Sequence, residues 1–473
     1  MNLSSELLNN QIFSKVGKAA DDLGMDTYAV GGFVRDVLLN RPGKDIDFVC
    51  VGSGIKLAEK VAESLGGLRV TQFKNFGTAR IDWKDFELEF VGARKESYRV
   101  DSRKPIVEDG TIEDDQNRRD FTINAMAIGL NEKNWGELVD PFDGVNDLKK
   151  KILRTPLDPA ITFSDDPLRM LRAIRFAAQL NFDIEATTFE TISTYASRLK
   201  IVSGERVIDE LNKIMLTETP SYGFKLLFHS GLLKEFFPEM VALQGVENID
   251  NKGHKDNFYH TLQVLDNVAQ VSDDLWLRWA AILHDIAKPV TKRFDKQQGW
   301  TFHGHEEKGA RMVPGIFRRL KLPMDERMHF VQKLVRLHLR PIALAKEVTD
   351  SAIRRLLFEA GKDTDALMRL CRADITSKNG AKVAKYLKNF DLVESRMGQV
   401  EEKDKIRCFQ PPISGDEIIK ALNVAPGPIV GEIKEQIKDA ILDGDIENDK
   451  DQAYQLMLAL ARKRGLSITE IKR

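Results

Sequence analysis

The stretch YAVGGFVRDVLLNRPGKDIDFV, Tyr28 to Val49, sets a glycine pair after a short apolar run, then an arginine, then two aspartates one residue apart. Successive side chains on a strand point to opposite faces. Asp45 and Asp47, flanked by Ile46 and by Phe48-Val49, therefore present both carboxylates on one face. Two carboxylates so placed can share divalent cations; magnesium favours hard oxygen ligands and leaves positions open for substrate phosphates. Gly31-Gly32 carries no side chains to keep backbone N–H groups away from a triphosphate, and Arg35 and Asp36 open a helix behind it. Taken singly, each piece is as well explained by a strand-to-helix turn or an exposed strand end. In this order they predict a phosphoryl-transfer site.

Outward from this stretch, residues 1–147 mix strand-like runs such as TARIDWKDFELEFVGA with helical ones such as SGIKLAEKVAESL. That alternation predicts a compact α/β unit. Glu87 and Glu89 share one face of the FELEFV run, on a strand that can lie beside the aspartate strand. Tyr98 to Asp115, YRVDSRKPIVEDGTIEDD, is charged and aperiodic and predicts a mobile loop. RRDFTINAMAI, Arg118 to Ile128, places two arginines and an aspartate before an expected amphipathic helix carrying Asn124. A helix N-terminus with an arginine is a ready anion site. Arg119 is the expected phosphate or nucleotide contact, Asp120 orients it or caps the helix, and Asn124 reaches the ribose.

Beyond Leu148 the apolar spacing is helical almost throughout. In DDPLRMLRAIRF, Asp166, Arg169, Arg172 and Arg175 recur every three residues and form one polar stripe beside Leu168, Leu171, Ile174 and Phe176. A solvated stripe usually mixes lysine and glutamate, whereas this one puts three arginines behind one aspartate.

GGFVRD followed by DIDFV resembles the head domain of class II tRNA nucleotidyltransferases and bacterial poly(A) polymerases. The resemblance covers roughly residues 25 to 240, with its motifs in order. It implies an α+β fold: an N-terminal nucleotidyltransferase palm of the polymerase beta type over residues 1–147, then all-helical parts. These are a neck over 148–245, an HD domain over 246–390 and an RNA-binding tail over 391–473, where NVAPGPIVGEI reads as a helix-turn-helix connection. It also implies that Asp45, Asp47 and a third carboxylate, Glu89 with Glu87 as the alternative, hold Mg2+ and are catalytic, and that Gly31, Gly32, Arg35, Arg119, Asp120 and Asn124 bind the nucleotide. Asp166 and Arg169 match the family's E-D-x-x-R template, which reads the edge of the incoming base, with Arg172 and Arg175 nearer the phosphates. Asp165 departs from the template's glutamate. ERVIDEL matches the family's helix-stabilising motif, in which Glu205, Arg206 and Glu210 are expected to form ion pairs that hold the template helix.

Seven of the eight histidines fall between His254 and His338. The segments YHTLQVLDNV, LRWAAILHDIAKP, FHGHEEKGARM, LVRLHLRPIAL and LMRLCRADITSKN resemble the HD phosphohydrolase superfamily. The resemblance implies His260, His284, Asp285 and Asp374 as ligands of a divalent transition metal or Mg2+, with His305 and His338 as second-metal or substrate contacts. Lys288 would hold a phosphate. Imidazole and carboxylate together suit a metal that activates water on a phosphate.

Composition sets bounds rather than deciding. Lys+Arg 71 against Asp+Glu 72 leaves a net charge of −1, so any nucleic-acid surface is a local patch. Cys50, Cys371 and Cys408 form no C-x-x-C pair, which fits a reducing compartment. No apolar run reaches the roughly 18 residues that span a bilayer, and the N-terminus has no leader pattern. The expectation is a cytoplasmic enzyme adding CCA to the 3′ end of tRNA from CTP and ATP, with no membrane or protein partner. Poly(A) addition, CC-only or A-only addition, and a hydrolase working at the histidine cluster are the alternatives.

Overall fold

The computed structural model describes every residue except 9, 42, 75–76, 100–101, 250–251, 254, 345–348, 378, 405–409 and 467–473. Cys408 lies outside the described residues. The chain divides into two compact units, Met1–Pro238 and Glu239–Arg473. Among the described residues no helix is long and apolar enough to cross a membrane.

The first unit is organised by a seven-stranded sheet. In chain order its strands are β1 (Thr27–Val30), β2 (Asp45–Cys50), β3 (Thr71–Phe73), β4 (Thr78–Trp83) and β5 (Phe86–Gly92). A separate hairpin, β6 (Arg94–Arg99) with β7 (Ser102–Asp109), precedes β8 (Ala127–Gly129) and β9 (Leu138–Val139). The sheet order is β3-β4-β5-β2-β1-β8-β9, with β2 and β5 parallel and the other neighbours antiparallel. Alternation in β2 sends Ile46 and Phe48 into the core, where Phe48 stacks on Phe90 of β5 with ring centroids 5.0 Å apart. It turns Asp45 and Asp47 to the other face.

Two local expectations are corrected here. The Tyr98–Asp115 segment is not a loop: it contains most of the β6–β7 hairpin and the start of helix Ile112–Asn117. That helix is fixed by a capping box between Thr111 and Asp114, a local signal inside the acidic run. The segment after Arg118-Arg119-Asp120 is not an amphipathic helix either. Thr122–Asn124 makes a single 3-10 turn before the chain enters β8, because Ala127–Gly129 is claimed by pairing with β1.

The helices that follow within this unit include Pro159–Asp165, Leu168–Leu180 and Gly204–Met215. Leu168–Leu180 buries Leu171, Ile174 and Phe176, as the apolar stripe requires. The second unit is helical apart from short strand pairs. Helices Asn257–Ala269, Leu275–Leu283, His305–Arg319, Glu326–Leu337 and Thr364–Ala373 carry the histidine segments. The C-terminal part adds Gly380–Asp404, Gly415–Leu422, Pro428–Asp443 and Lys450–Lys463, and the Pro-Gly-rich connection lies between the second and third of these.

Candidate functional site

In the first unit, sheet register assembles the acidic group. Asp47 pairs across with Val30 on β1 and sits beside Glu89 on β5, while Asp45 sits beside Glu87. The two glutamates differ in their partners. Glu87 is exposed and pairs with Arg80 at 2.7 Å. Glu89 stands next to Asp47, and its carboxyl is raised above the usual range, first by desolvation and then by the Asp47 charge. Burial also raises the Asp47 carboxyl; Arg119 opposes this, and Asp45 and Asp115 add to it. Carboxylates raised by burial and by a neighbouring negative charge are a ready site for a cation.

The turn after β1 is tight. Gly31 has φ of 74°, and a Cβ there would lie 3.0 Å from Arg119 Nη1 and 3.4 Å from Asp47 Oδ2. Only glycine accepts both the conformation and the approach. The following helix, Gly32–Leu38, starts ahead of Arg35, which is buried rather than opening the helix. Its guanidinium donates to Asp36 and, at 2.8 Å, to Asn124 Oδ1.

Arg119 is oriented by a residue that sequence reading passed over. Asp115 is fully buried, and its Oδ2 accepts from Arg119 Nε at 3.0 Å and Nη2 at 2.9 Å; its Oδ1 takes Arg118. Burial works against this charge, yet Arg119 and Arg118 together hold the carboxyl below its ordinary value. Asp120, expected to orient Arg119, instead accepts from Arg172 Nε at 2.8 Å and from Asn124 Nδ2 at 3.0 Å. The 3-10 turn at Thr122–Asn124 returns the Asn124 amide to one Asp120 oxygen, and Arg172 of helix Leu168–Leu180 takes the other.

Asp166 precedes that helix rather than riding on it. Its Oδ1 accepts from the Leu168 N–H at 3.1 Å and its Oδ2 lies 3.3 Å from Arg206. Arg169 donates to the Arg118 carbonyl at 2.5 Å. Arg175 pairs with Glu210 at 2.6 Å and lies over the Phe176 ring. Arg206 and Glu210 thus tie helix Gly204–Met215 to the Asp166–Arg175 segment, while Glu205 is exposed.

One cavity of about 750 Å³ is lined by Gly31, Gly32, Arg35, Asp45, Asp47, Arg119, Asp120, Asn124, Asp166, Arg169, Arg172 and Arg175. Glu89 is not part of its lining. Nine arginine and lysine side chains face five aspartates around it. A chain with a net charge of −1 thus concentrates positive charge around this cavity.

In the second unit the expected ligands converge at helix ends. His284 and His338 follow directly on helices Leu275–Leu283 and Glu326–Leu337, and Asp374 follows Thr364–Ala373. Asp285 Oδ2 lies 3.4 Å from His260 Nε2 and 3.2 Å from His284 Nε2. Its Oδ1 lies 3.2 Å from His305 Nε2 and 3.9 Å from His338 Nε2. Asp374 Oδ1 is 2.9 Å from His260 Nε2, and Lys288 Nζ is 2.5 Å from Asp285 Oδ2. Buried Nε2 atoms of His284, His305 and His338 have no hydrogen-bond partner. Three unsatisfied imidazole nitrogens around a buried carboxylate are costly unless a cation takes them, so the donor set fits a divalent metal. Burial depresses the His338 imidazole to about 4, helped by His284, which keeps it neutral and able to ligate.

A sheet that pairs two aspartates with a neighbouring glutamate, next to a glycine turn and an arginine-lined cavity, defines a nucleotidyltransferase. The family models agree: the poly A polymerase head domain matches residues 27–154, a probable RNA and SrmB-binding site of polymerase A matches 181–243, and the HD domain matches 257–379. A multifunctional CCA protein of Pseudoalteromonas atlantica is 36% identical over 64% of this chain and 72% of its own. An A-adding tRNA nucleotidyltransferase of Deinococcus radiodurans is 30% identical over 88% of this chain and 92% of its own. Among solved structures, a Thermotoga maritima CCA-adding enzyme complexed with tRNA shares the fold at a TM-score of 0.61 and 22% identity, covering 97% of this chain and 99% of that one. The chain belongs to the family of tRNA nucleotidyltransferases and poly(A) polymerases.

Proposed function

We propose that this enzyme adds C, C and A in turn to the 3′ end of tRNA from CTP and ATP, without a nucleic-acid template. The observation that carries the reading is the meeting of Asp45 and Asp47 with Asp166 and Arg169 in one cavity. The names of the curated relatives support tRNA as the acceptor.

Asp45, Asp47 and Glu89 would hold magnesium. Bound there, magnesium supplies positive charge to the triphosphate and lowers the pKa of the attacking 3′-hydroxyl. The backbone at Gly31-Gly32 and the Arg119 guanidinium face the same space and stabilise charge that moves onto the leaving pyrophosphate. Asp120, Asn124 and Arg35 form a hydrogen-bonded chain beneath the nucleotide that keeps Arg172 in place.

Base choice follows from donor and acceptor chemistry. A carboxylate only accepts and a guanidinium only donates. Asp166 accepts from the exocyclic amine of C or A, and Arg169 donates to the adjacent ring nitrogen. U and G put a carbonyl where the amine should be, against the Asp166 lone pairs. Arg206 and the Leu168 N–H fix the carboxylate, whose remaining lone pairs stay available.

The second unit is read as a metal-dependent phosphohydrolase centre acting on nucleotide or RNA phosphates. His260, His284, Asp285 and Asp374 would hold one divalent ion, and His305 and His338 would share Asp285 with a second. Paired ions supply an activated water and a charge clamp for a phosphate, and Lys288 offers the phosphate a further cation.

The test is extension at single-nucleotide resolution of tRNA transcripts ending at the discriminator base, at C and at CC. The reading expects all three to stop at CCA. The A-adding relative favours one competing outcome, extension of the CC transcript alone, and unbounded A addition would indicate a poly(A) polymerase.

A further inference from the structure

Three guanidiniums that line the cavity of the first unit converge on one aromatic ring. Phe176 lines that cavity too and is buried, with Arg175 Cζ 3.9 Å, Arg35 Cζ 5.1 Å and Arg172 Cζ 5.4 Å from its ring centroid. Arg172 lies one helical turn ahead of Phe176, so the two share a face of helix Leu168–Leu180. Arg35 comes from helix Gly32–Leu38, behind the glycine turn. Phe121 meets the ring at 80° with centroids 5.8 Å apart, an edge-to-face contact that steadies its plane.

Like charges gathered so closely repel, and each guanidinium has an acid beside it. Arg35 pairs with Asp36 at 2.9 Å, Arg172 with Asp120 at 2.7 Å and Arg175 with Glu210 at 2.6 Å. Asp120 takes the Nε and Nη2 edge of Arg172, while Glu210 and Gln179 take Nε and Nη1 of Arg175. Among the described residues, Arg172 Nη1 and Arg175 Nη2 have no hydrogen-bond partner. A carboxylate grips a guanidinium by its edge and leaves the plane free to tilt. An aromatic face is negative, attracts the guanidinium broadside and uses none of its N–H donors. An aliphatic side chain at this place would fill the space and carry no such face.

We propose that Phe176 is a positioning residue for the incoming nucleoside triphosphate: its ring aligns Arg172 and Arg175 so that their remaining N–H groups meet the phosphates. This rests on the reading of the cavity as the nucleotide site. Arg35, whose donors are taken by Asp36 and Asn124, anchors the ring to the helix behind the glycine turn. Phe176 acts through the phosphates and not through the base.

The experiment uses the full chain, a tRNA ending in CC and ATP. At Phe176, mono-, di- and trifluorinated phenylalanine weaken the negative face in steps and change the shape little. KM for ATP is expected to rise along the series, to about tenfold at the trifluorinated ring, with kcat within about twofold. Phe176→Leu is expected to raise KM at least as far. Phe224→Leu removes a fully buried ring of the same unit that has no guanidinium over it among the described residues. It should lower Tm and keep KM within about twofold of wild type. Inorganic tripolyphosphate, competing with ATP, should lose inhibition by the same factor as KM rises. A KM that stays level along the fluorinated series, even if Phe176→Leu raises it, makes the ring a packing residue and overturns the inference. Unchanged inhibition by tripolyphosphate beside a raised KM places the effect at the base and overturns it too. Either result leaves nucleotidyl transfer standing, whereas a wild-type chain that does not extend tRNA overturns that reading and the inference with it.

Discussion

Asp120 accepts from Arg172 at 2.8 Å and so joins the turn after Arg118-Arg119 to the helix that begins behind Asp166. Burial opposes the Asp120 charge, but Arg172 and Asn124 outweigh it and hold the carboxyl at about 2, below its ordinary 3.8. A depressed carboxyl stabilises the fold above the ordinary value, and this stabilisation is lost as pH falls toward the depressed one. Asp120→Asn should therefore cost about 2 kcal/mol at neutral pH. In urea titrations the gap from wild type should shrink between about pH 4 and pH 2; a gap that stays constant or widens would contradict the pairing.

Asp115 holds Arg119 against the glycine turn without itself lining the cavity. Asp115→Asn should raise KM for the nucleoside triphosphate about tenfold with a smaller change in kcat, because it loosens an arginine proposed to bind phosphate in ground and transition states alike. Steady-state kinetics with a tRNA ending in CC would check this, and an unchanged KM would show that Asp115 does not position Arg119 for the nucleotide.

Register separates the two glutamates of β5. Glu89→Gln should lower kcat on the order of 100-fold, since it takes charge from the proposed cation site. Glu87→Gln removes only an exposed ion pair and should stay within about twofold. The reverse ranking would move the third carboxylate to Glu87.

Arg206 steadies Asp166 from a neighbouring helix. Arg206→Met should leave polymerisation intact while raising UTP incorporation relative to CTP about tenfold, or ~1.4 kcal/mol of discrimination. Competition assays with both nucleotides would read the ratio directly.

The two units should be separable by mutation. His284→Ala is expected to abolish manganese binding at its position and any phosphohydrolysis, yet leave tRNA extension within about twofold. Loss of extension in a folded His284→Ala protein would tie the two chemistries together.

Much of this was legible in the residues because the chemistry sits in short, ordered motifs. The glycine pair, Asp45-Asp47 and the Asp166–Arg175 series all line the cavity, and periodicity located the strand that carries the two aspartates and the helix that carries Arg169, Arg172 and Arg175. What stayed hidden has physical reasons. Asp115 stands in the acidic run IEDDQN, where composition cannot tell a buried carboxylate from solvated neighbours. The β6–β7 hairpin is built from charged residues, which mask its strand character. Choosing between Glu87 and Glu89 needed the parallel register with β2, a long-range pairing with no local trace.

Asp166 and Arg169 are proposed to choose the nucleotide that Asp45 and Asp47 help to join to tRNA. The direct test offers all four nucleoside triphosphates at once to a transcript ending at the discriminator base, with wild type and Asp166→Ala. Wild type should give CCA and stop, and the variant should continue extension with U or G admitted. A variant that still adds only C, C and A, or a wild type that runs on into A, would contradict it.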